Sequence, residues 1–219
     1  FYENIPTREE SLKKLGLTSD NKLLLIIPAS RKQELKYILP TLLTVAKNLQ
    51  EKDPSITVFI PSGLEEFDDI LNDSLTEYGL IGRVILSSEV DNLKPFLFSS
   101  AYLALAKSGT INMELALNSV PQIVGYKVSK ITAFFARNFL RFNVKYISPV
   151  NLLLNKSLIP EFIQEDFKAE KIFNSALKIL EDVSTRQEIV NGYKKLKEKL
   201  GKPGVTDRAS KDILDLIVP

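Results

Sequence analysis

The 219-residue sequence contains no cysteine and no histidine. That argues against disulfides, thiol nucleophiles, zinc sites of the usual ligand types and a Ser-His-Asp triad. Any acid–base step must use Asp, Glu, Lys or Tyr, or draw on another chain. A cysteine-free chain fits the cytosol. No apolar run has the length of a membrane span. Charge of one sign is lacking too: 29 Lys and Arg stand against 27 Asp and Glu, a net +2. That is too slight for a nucleic-acid footprint, and no basic tract is interleaved with aromatics as a base-stacking surface would need. The glycine-rich fingerprints G-x-G-x-x-G and G-x-x-x-x-G-K-[ST] are absent, so dinucleotide and P-loop readings lose support. Methionine occurs once, at Met113, and the chain begins with Phe1. The sequence is therefore expected to be a piece of a longer protein.

What is present is an ordinary globular composition, 44% hydrophobic and 26% charged, from which a packed core is expected. Residues 1–21 read as a connector followed by a short helix over 8–15, stopped by Gly16. "KLLLIIP" (22–28) is a continuous apolar run of strand length, as in a strand buried on both faces. A helix follows over about 35–52. Strands over 56–60, 83–87, 102–106 and 122–126 then alternate with helices over 64–78, 92–99, 111–117 and 130–142. This alternation predicts an α/β fold, a parallel sheet with helices on both faces. After Tyr146 the pattern changes to a long segment with Pro149 and Pro160. Three helices follow, over 167–180, 185–200 and 207–217, the last set apart by "GKPG" (201–204).

In open parallel sheets, ligands bind beyond the carboxyl ends of the strands. Two strand-to-helix turns carry unusual chemistry there. In "PASRKQE" (28–34), Ser30 can cap the helix and Gln33 can close a capping box. Arg31 would then sit in the first turn, where a cation opposes the helix dipole unless an anion occupies the site. A solvated surface arginine is the alternative. In "KSGTINME" (107–114), Gly109 lets the backbone approach a ligand or take a positive φ. Thr110 is a natural N-cap, and the free N–H groups after it can hold phosphate oxygens. Glu114, one turn on, can accept two hydrogen bonds from a ribose diol, although glutamate near a helix start is favoured on electrostatic grounds alone. The segment 130–146 interleaves Phe134, Phe135, Phe139, Leu140 and Phe142 with Arg137, Arg141 and Lys145. It suits either core packing with solvated charges or a patch resting on an anionic membrane surface.

In this order, the motifs resemble the C-terminal half of the lipid-A-disaccharide synthase family of two-domain GT-B glycosyltransferases. "PASRKQE" is similar to the family's PGSR-x-x-E loop, and "SGTINME" to its SGT-x-x-x-E turn. The stretch 121–132 matches P-x-x-x-x-Y-K-x-S-x-x-T, the segment 151–164 matches N-x-x-x…P-E-x-x-Q, and G-x-P-G precedes the last helix. The resemblance implies a Rossmann-like domain over 22–200 that binds a UDP sugar. Residues 1–21 would lead in from a missing N-terminal domain, and 201–219 would pack back on it. It implies an enzyme that transfers diacylglucosamine from UDP-2,3-diacylglucosamine to 2,3-diacylglucosamine 1-phosphate with inversion and releases UDP. The place implied is the cytoplasmic face of a bacterial inner membrane.

By the same resemblance, Ser30 and Arg31 face the diphosphate, and Ser108, Gly109 and Thr110 form the phosphate-facing helix start. Glu114 takes the ribose hydroxyls, and Asn151, Glu161 and Gln164 line the cleft toward the sugar. No cofactor and no metal is implied, and the sequence has no D-x-D motif. The lipid acceptor and the catalytic base would belong to the missing half, so the isolated chain is expected to bind UDP weakly and to catalyse nothing alone. Ala29 stands where the family has glycine, and its methyl is expected to crowd a diphosphate or restrict φ. The apolar faces of the final helices are expected to favour association, a homodimer included. Two other readings stay open from the residues: another GT-B enzyme, such as an epimerase of UDP-GlcNAc, or a noncatalytic Rossmann-like binding or scaffolding module.

Overall fold

Successive residues of the central apolar runs serve opposite faces of one sheet, because side chains alternate along a strand. In the computed structural model, which describes residues 5–129, 145–201 and 204–217, Leu24 and Ile26 join one hydrophobic cluster. Leu23 and Leu25 join the other. Leu103 and Leu105 face the first cluster, Ala104 and Ala106 the second. Two buried faces explain why these strands read as unbroken apolar runs.

The elements follow the expected alternation: α1 (Arg8–Lys14), β1 (Lys22–Ile27), α2 (Lys32–Lys52), β2 (Ile56–Pro61), α3 (Asp68–Glu77), β3 (Gly82–Ile85), α4 (Ser87–Ser100), β4 (Ala101–Lys107), α5 (Ile111–Leu117) and β5 (Gln122–Tyr126). Then come α6 (Pro149–Leu154), β6 (Glu161–Ile163), α7 (Ala169–Glu181), α8 (Val183–Leu200) and α9 (Val205–Ile217). The six strands lie in the order β3-β2-β1-β4-β5-β6, all paired in parallel. The chain builds β1 to β3 outward on one side, then crosses back to lay β4 beside β1. That reversal is the topological switch point of a Rossmann-like sheet, and in open α/β sheets ligands bind at such a point, beyond the carboxyl ends of the strands, here β1 and β4.

Four elements depart from the sequence reading: β3, α4, α6 and β6. α4 begins at Ser87, not near 92, and β3 ends at Ile85. Ser87 is held by a distant cap: its N–H donates to Asp68 Oδ1 (3.2 Å) and its hydroxyl to Asp68 Oδ2 (3.1 Å). The long segment after Tyr146, for which the sequence names no element, holds both the helix α6 and the strand β6. The three residues of β6, Glu161–Ile163, pair with Val124–Tyr126 at the sheet edge. α1 packs on α4, with Leu15 in the cluster of Leu97 and Phe98. The helix expected over 130–142, and with it nearly all of the aromatic and cationic segment 130–146, lies outside the described residues. Among the described residues, no helix is long and apolar enough to cross a membrane.

Candidate functional site

Two loops meet at the switch point. The first leaves β1 at Pro28 and enters α2. Arg31, not Ser30, is the N-cap residue (φ −142°, ψ 144°), and no side chain caps the helix. The expected Ser30–Gln33 capping box is absent. Glu34 comes back in place of Gln33, and its Oε2 accepts the Ser30 N–H at 3.3 Å. Ala29 takes no left-handed φ, and it rests against the core cluster. Its methyl therefore contributes to packing.

The second loop leaves β4 at Lys107. Lys107 Nζ reaches across the switch point and donates to Ser30 Oγ (2.8 Å) and to Glu34 Oε2 (2.8 Å). The pair is well screened, with Lys107 and Glu34 side chains 15% and 13% exposed. Burial works against the charge on Glu34. Hydrogen bonds from Lys107 and the Ser30 N–H, with the charges of Lys107 and Arg31, outweigh it and hold the carboxyl below its ordinary value. Neither Lys107 nor Glu34 stood out in the sequence as a site residue.

The turn after Lys107 is fastened from inside. Ser108 N–H donates to Gly125 O (2.9 Å) and its hydroxyl to Ile147 O (2.6 Å). Gly109 takes no left-handed φ. A Cβ there would meet only Lys107 Cε, at 3.5 Å, so glycine supplies room and not a special conformation. Thr110 precedes α5 in a helical conformation (φ −61°, ψ −29°), and its hydroxyl makes no cap bond. Asn112 fastens the turn from inside the helix: its Oδ1 accepts the Gly109 N–H at 2.8 Å. Its Nδ2 donates to Lys107 O (3.2 Å) and Gln122 Oε1 (3.0 Å). Gln122 Nε2 in turn donates to Asn112 O (2.9 Å) and to the Tyr193 hydroxyl (3.2 Å). Asn112, Gln122 and Tyr193 are fully buried. Burial drives the Tyr193 phenol far above its ordinary pKa, so it stays a neutral hydroxyl. This amide relay anchors the turn to α8. Its only trace in the sequence is two amides next to apolar residues, Asn112 between Ile111 and Met113 and Gln122 before Ile123.

The other expected site residues fall into three places. Glu114 forms an ion pair with Lys94 of α4. Glu161 and Asn151 sit together behind the turn. Glu161 Oε2 accepts from Ile147 N–H (2.8 Å), and its Oε1 accepts from Ser148 N–H (3.0 Å) and Asn151 Nδ2 (2.8 Å). Ile147 thus joins Ser108 to Glu161. Asn151 is fully buried. Its Nδ2 also donates to Ile159 O (2.9 Å), while its Oδ1 accepts from Leu158 N–H (2.9 Å) and Ile159 N–H (3.1 Å). With those partners, the amide is committed to the protein interior. Gln164 has φ +50° and accepts from Val128 N–H at 3.1 Å, tying the end of β6 to the segment after β5. A groove of about 520 Å³ lies elsewhere, between Leu158, near the amino end of β6, and the Glu188–Lys195 face of α8. It is roomy, but it is not at the carboxyl edge and does not gather the loops just described. Among the described residues, no three acids come together as a cation site.

Strand order, paired loops and terminal helices define the C-terminal, Rossmann-like half of a GT-B fold. The crystal structure of the C-terminal domain of a group 1 glycosyl transferase from Francisella tularensis matches with a TM-score of 0.56 at 15% identity, covering 88% of this chain and 91% of that one. UDP-GlcNAc 2-epimerase from Neisseria meningitidis, solved bound to UDP-GlcNAc, matches with a TM-score of 0.53 at 16% identity, over 88% of this chain and 47% of that one. At such identities the likeness establishes the fold. The sequence settles the family: a family model described as lipid-A-disaccharide synthetase matches residues 2–213, and the chain belongs to that family. It is 51% identical, over 97% of its length, to the lipid-A-disaccharide synthase of Prochlorococcus marinus (strain MIT 9313), of which it covers 54%. The chain spans about half the length of the curated relatives it matches.

Proposed function

We propose that this chain is the donor-binding half of an inverting glycosyltransferase that makes the lipid A disaccharide. The donor is UDP-2,3-diacylglucosamine, the acceptor 2,3-diacylglucosamine 1-phosphate, and UDP is released. The observation that carries this reading is the meeting of the 28–34 loop and the 107–114 turn across the β1–β4 switch point, joined by Lys107 and Ser30. Family membership supplies the chemistry.

In the reaction, an acceptor hydroxyl oxygen attacks the anomeric carbon from the face opposite the diphosphate. The carbon–oxygen bond to the β-phosphate breaks, and UDP leaves with the electron pair. The hydroxyl proton passes to a base in the other half. Arg31, Ser30 and the Thr110 end of the turn hold the diphosphate and stabilise the charge that grows on it. Ser108 and Gly109 shape that turn, since their N–H groups are bonded within the protein. Glu114 takes the ribose hydroxyls, exchanging or sharing its bond to Lys94. Gln164 faces the sugar side, while Glu161, whose two oxygens accept three N–H groups, holds the 147–148 backbone in place together with Asn151.

The partners belong to the same proposal. The lipid acceptor is bound by the other half. The 130–146 segment is a candidate contact for an anionic bilayer at the cytoplasmic face of a bacterial inner membrane. Residues 1–21 lead in from the other half, and α9 returns to it or to a second copy of the chain. Exposed Val205, Ile213 and Leu214 on α9 support such a docking.

Calorimetric titration with UDP tests the donor half. Saturable binding is expected, weakened about tenfold or more by Arg31→Ala, as befits loss of a charge-assisted contact to phosphate. Equal affinity in wild type and Arg31→Ala would remove Arg31 from the diphosphate site.

A further inference from the structure

We infer that Lys107 is a further diphosphate-binding residue of the donor site, and that Glu34 is the counter-ion it gives up when the nucleotide enters. The inference rests on the donor-site reading above and deepens it.

Lys107 is the last residue of β4, in register with Gly125 and one step beyond the Ile27–Ala106 pair that closes the β1–β4 ladder. Its ammonium therefore lies between the two loops a diphosphate must bridge. Both recorded partners, Ser30 Oγ and Glu34 Oε2, belong to the loop that carries Arg31. A largely covered ammonium is costly unless a negative group stands beside it. In the free protein Glu34 is that group.

A diphosphate changes the balance. It offers several oxygens and more than one negative charge, against one carboxylate oxygen from Glu34. Lysine binds phosphate as a mobile point charge on a flexible stem, so its Nζ can turn from a carboxylate to a phosphate without moving the backbone. Glu34 keeps its bond from the Ser30 N–H, so the loop stays fastened when Lys107 leaves. Arg31 and Lys107 together then oppose the diphosphate. With Glu34 as counter-ion, the empty site does not hold two unbalanced cations. Glu34 competes with the ligand, and Lys107 is what they compete for. The alternative is that the pair is only a buckle between β4 and α2, and the two accounts differ in sign at Glu34.

The test is titration of the 219-residue chain with UDP and with uridine as the phosphate-free probe. It uses wild type, Lys107→Met, Glu34→Gln and the double variant Lys107→Met/Glu34→Gln. The double variant strands neither charge, so it remains a fair measurement if Lys107→Met folds poorly. Lys107→Met and the double variant should bind UDP about tenfold or more weaker while uridine affinity holds, the loss expected for one charge-assisted phosphate bond. Glu34→Gln should bind UDP severalfold tighter. UDP affinity in the double variant within about twofold of wild type would overturn the inference. So would a Glu34→Gln loss that parallels Lys107→Met, since a buckle fails from either end. Absence of UDP binding to wild type would instead remove the donor-site reading, and this inference with it.

Discussion

Asn112→Leu should destabilise the protein by about 2–4 kcal/mol and weaken UDP binding at the same time. The side chain is fully buried and serves three partners: Gly109 N–H, Lys107 O and Gln122 Oε1. Leucine fills a similar volume but leaves all three without their bond. A stranded buried polar group costs about 1–3 kcal/mol, and the two backbone groups, being half-buried, fall at the low end because water can reach them. Urea unfolding at unchanged m-value would read the loss. The relay makes a sharper prediction. Replacing Gln122 by Met in the same protein removes Asn112's main side-chain partner along with it. The double variant should therefore lose less than the sum of the single losses. Strict additivity would mean that the two amides act independently. UDP affinity should fall in both, because the Lys107–Thr110 turn loses the bonds that fix it.

Gly125→Ala is the second large effect. A Cβ at this position would stand 2.1 Å from Phe167 Cε2 and 2.7 Å from its Cδ2. Phe167 is buried in the main core cluster, so its ring has little room to withdraw. Overpacking of this kind costs about 1–3 kcal/mol, and the tight contact places Gly125 at the upper end. The consequence reaches the site, because Gly125 O accepts the Ser108 N–H and Gly125 pairs with Lys107. Phe167→Leu, destabilising alone, should recover part of the loss when combined with Gly125→Ala. Thermal unfolding of the four proteins checks this. Equal melting temperatures for wild type and Gly125→Ala would mean that β5 and Phe167 move apart freely.

Much of the fold can be read along the chain because its cause is local. β1, β2, β4 and β5 are runs of apolar residues short enough to be strands, and both of their faces are buried. β6 was invisible for the opposite reason: Glu161, Phe162 and Ile163 are only half-buried at the sheet edge, and they follow Pro160. The start of α4 was hidden because Asp68, which holds Ser87, belongs to another helix. In the site, the two loops were legible since each is a run of consecutive small and charged residues after a strand. What fastens them was not. Lys107 and Glu34 are 73 residues apart in sequence, and Ser108 and Ile147 are 39 apart. Asn151 illustrates the same limit. Its place beside Glu161 follows from a long segment folding back, which no spacing rule anticipates. Ser30 and Gln33 have the right spacing for a capping box, yet the helix takes Arg31 as its N-cap, because Glu34 is drawn back toward Ser30 and Lys107.

The central claim is that a nucleoside diphosphate sits at the β1–β4 switch point. Amide chemical-shift mapping of the labelled chain during titration with UDP tests it most directly. The account predicts saturable shifts concentrated in residues 28–34 and 107–114, with smaller ones at 147–148 and 161–164. Shifts centred on the groove beside Lys156 and Glu188, or none at millimolar UDP, would contradict it.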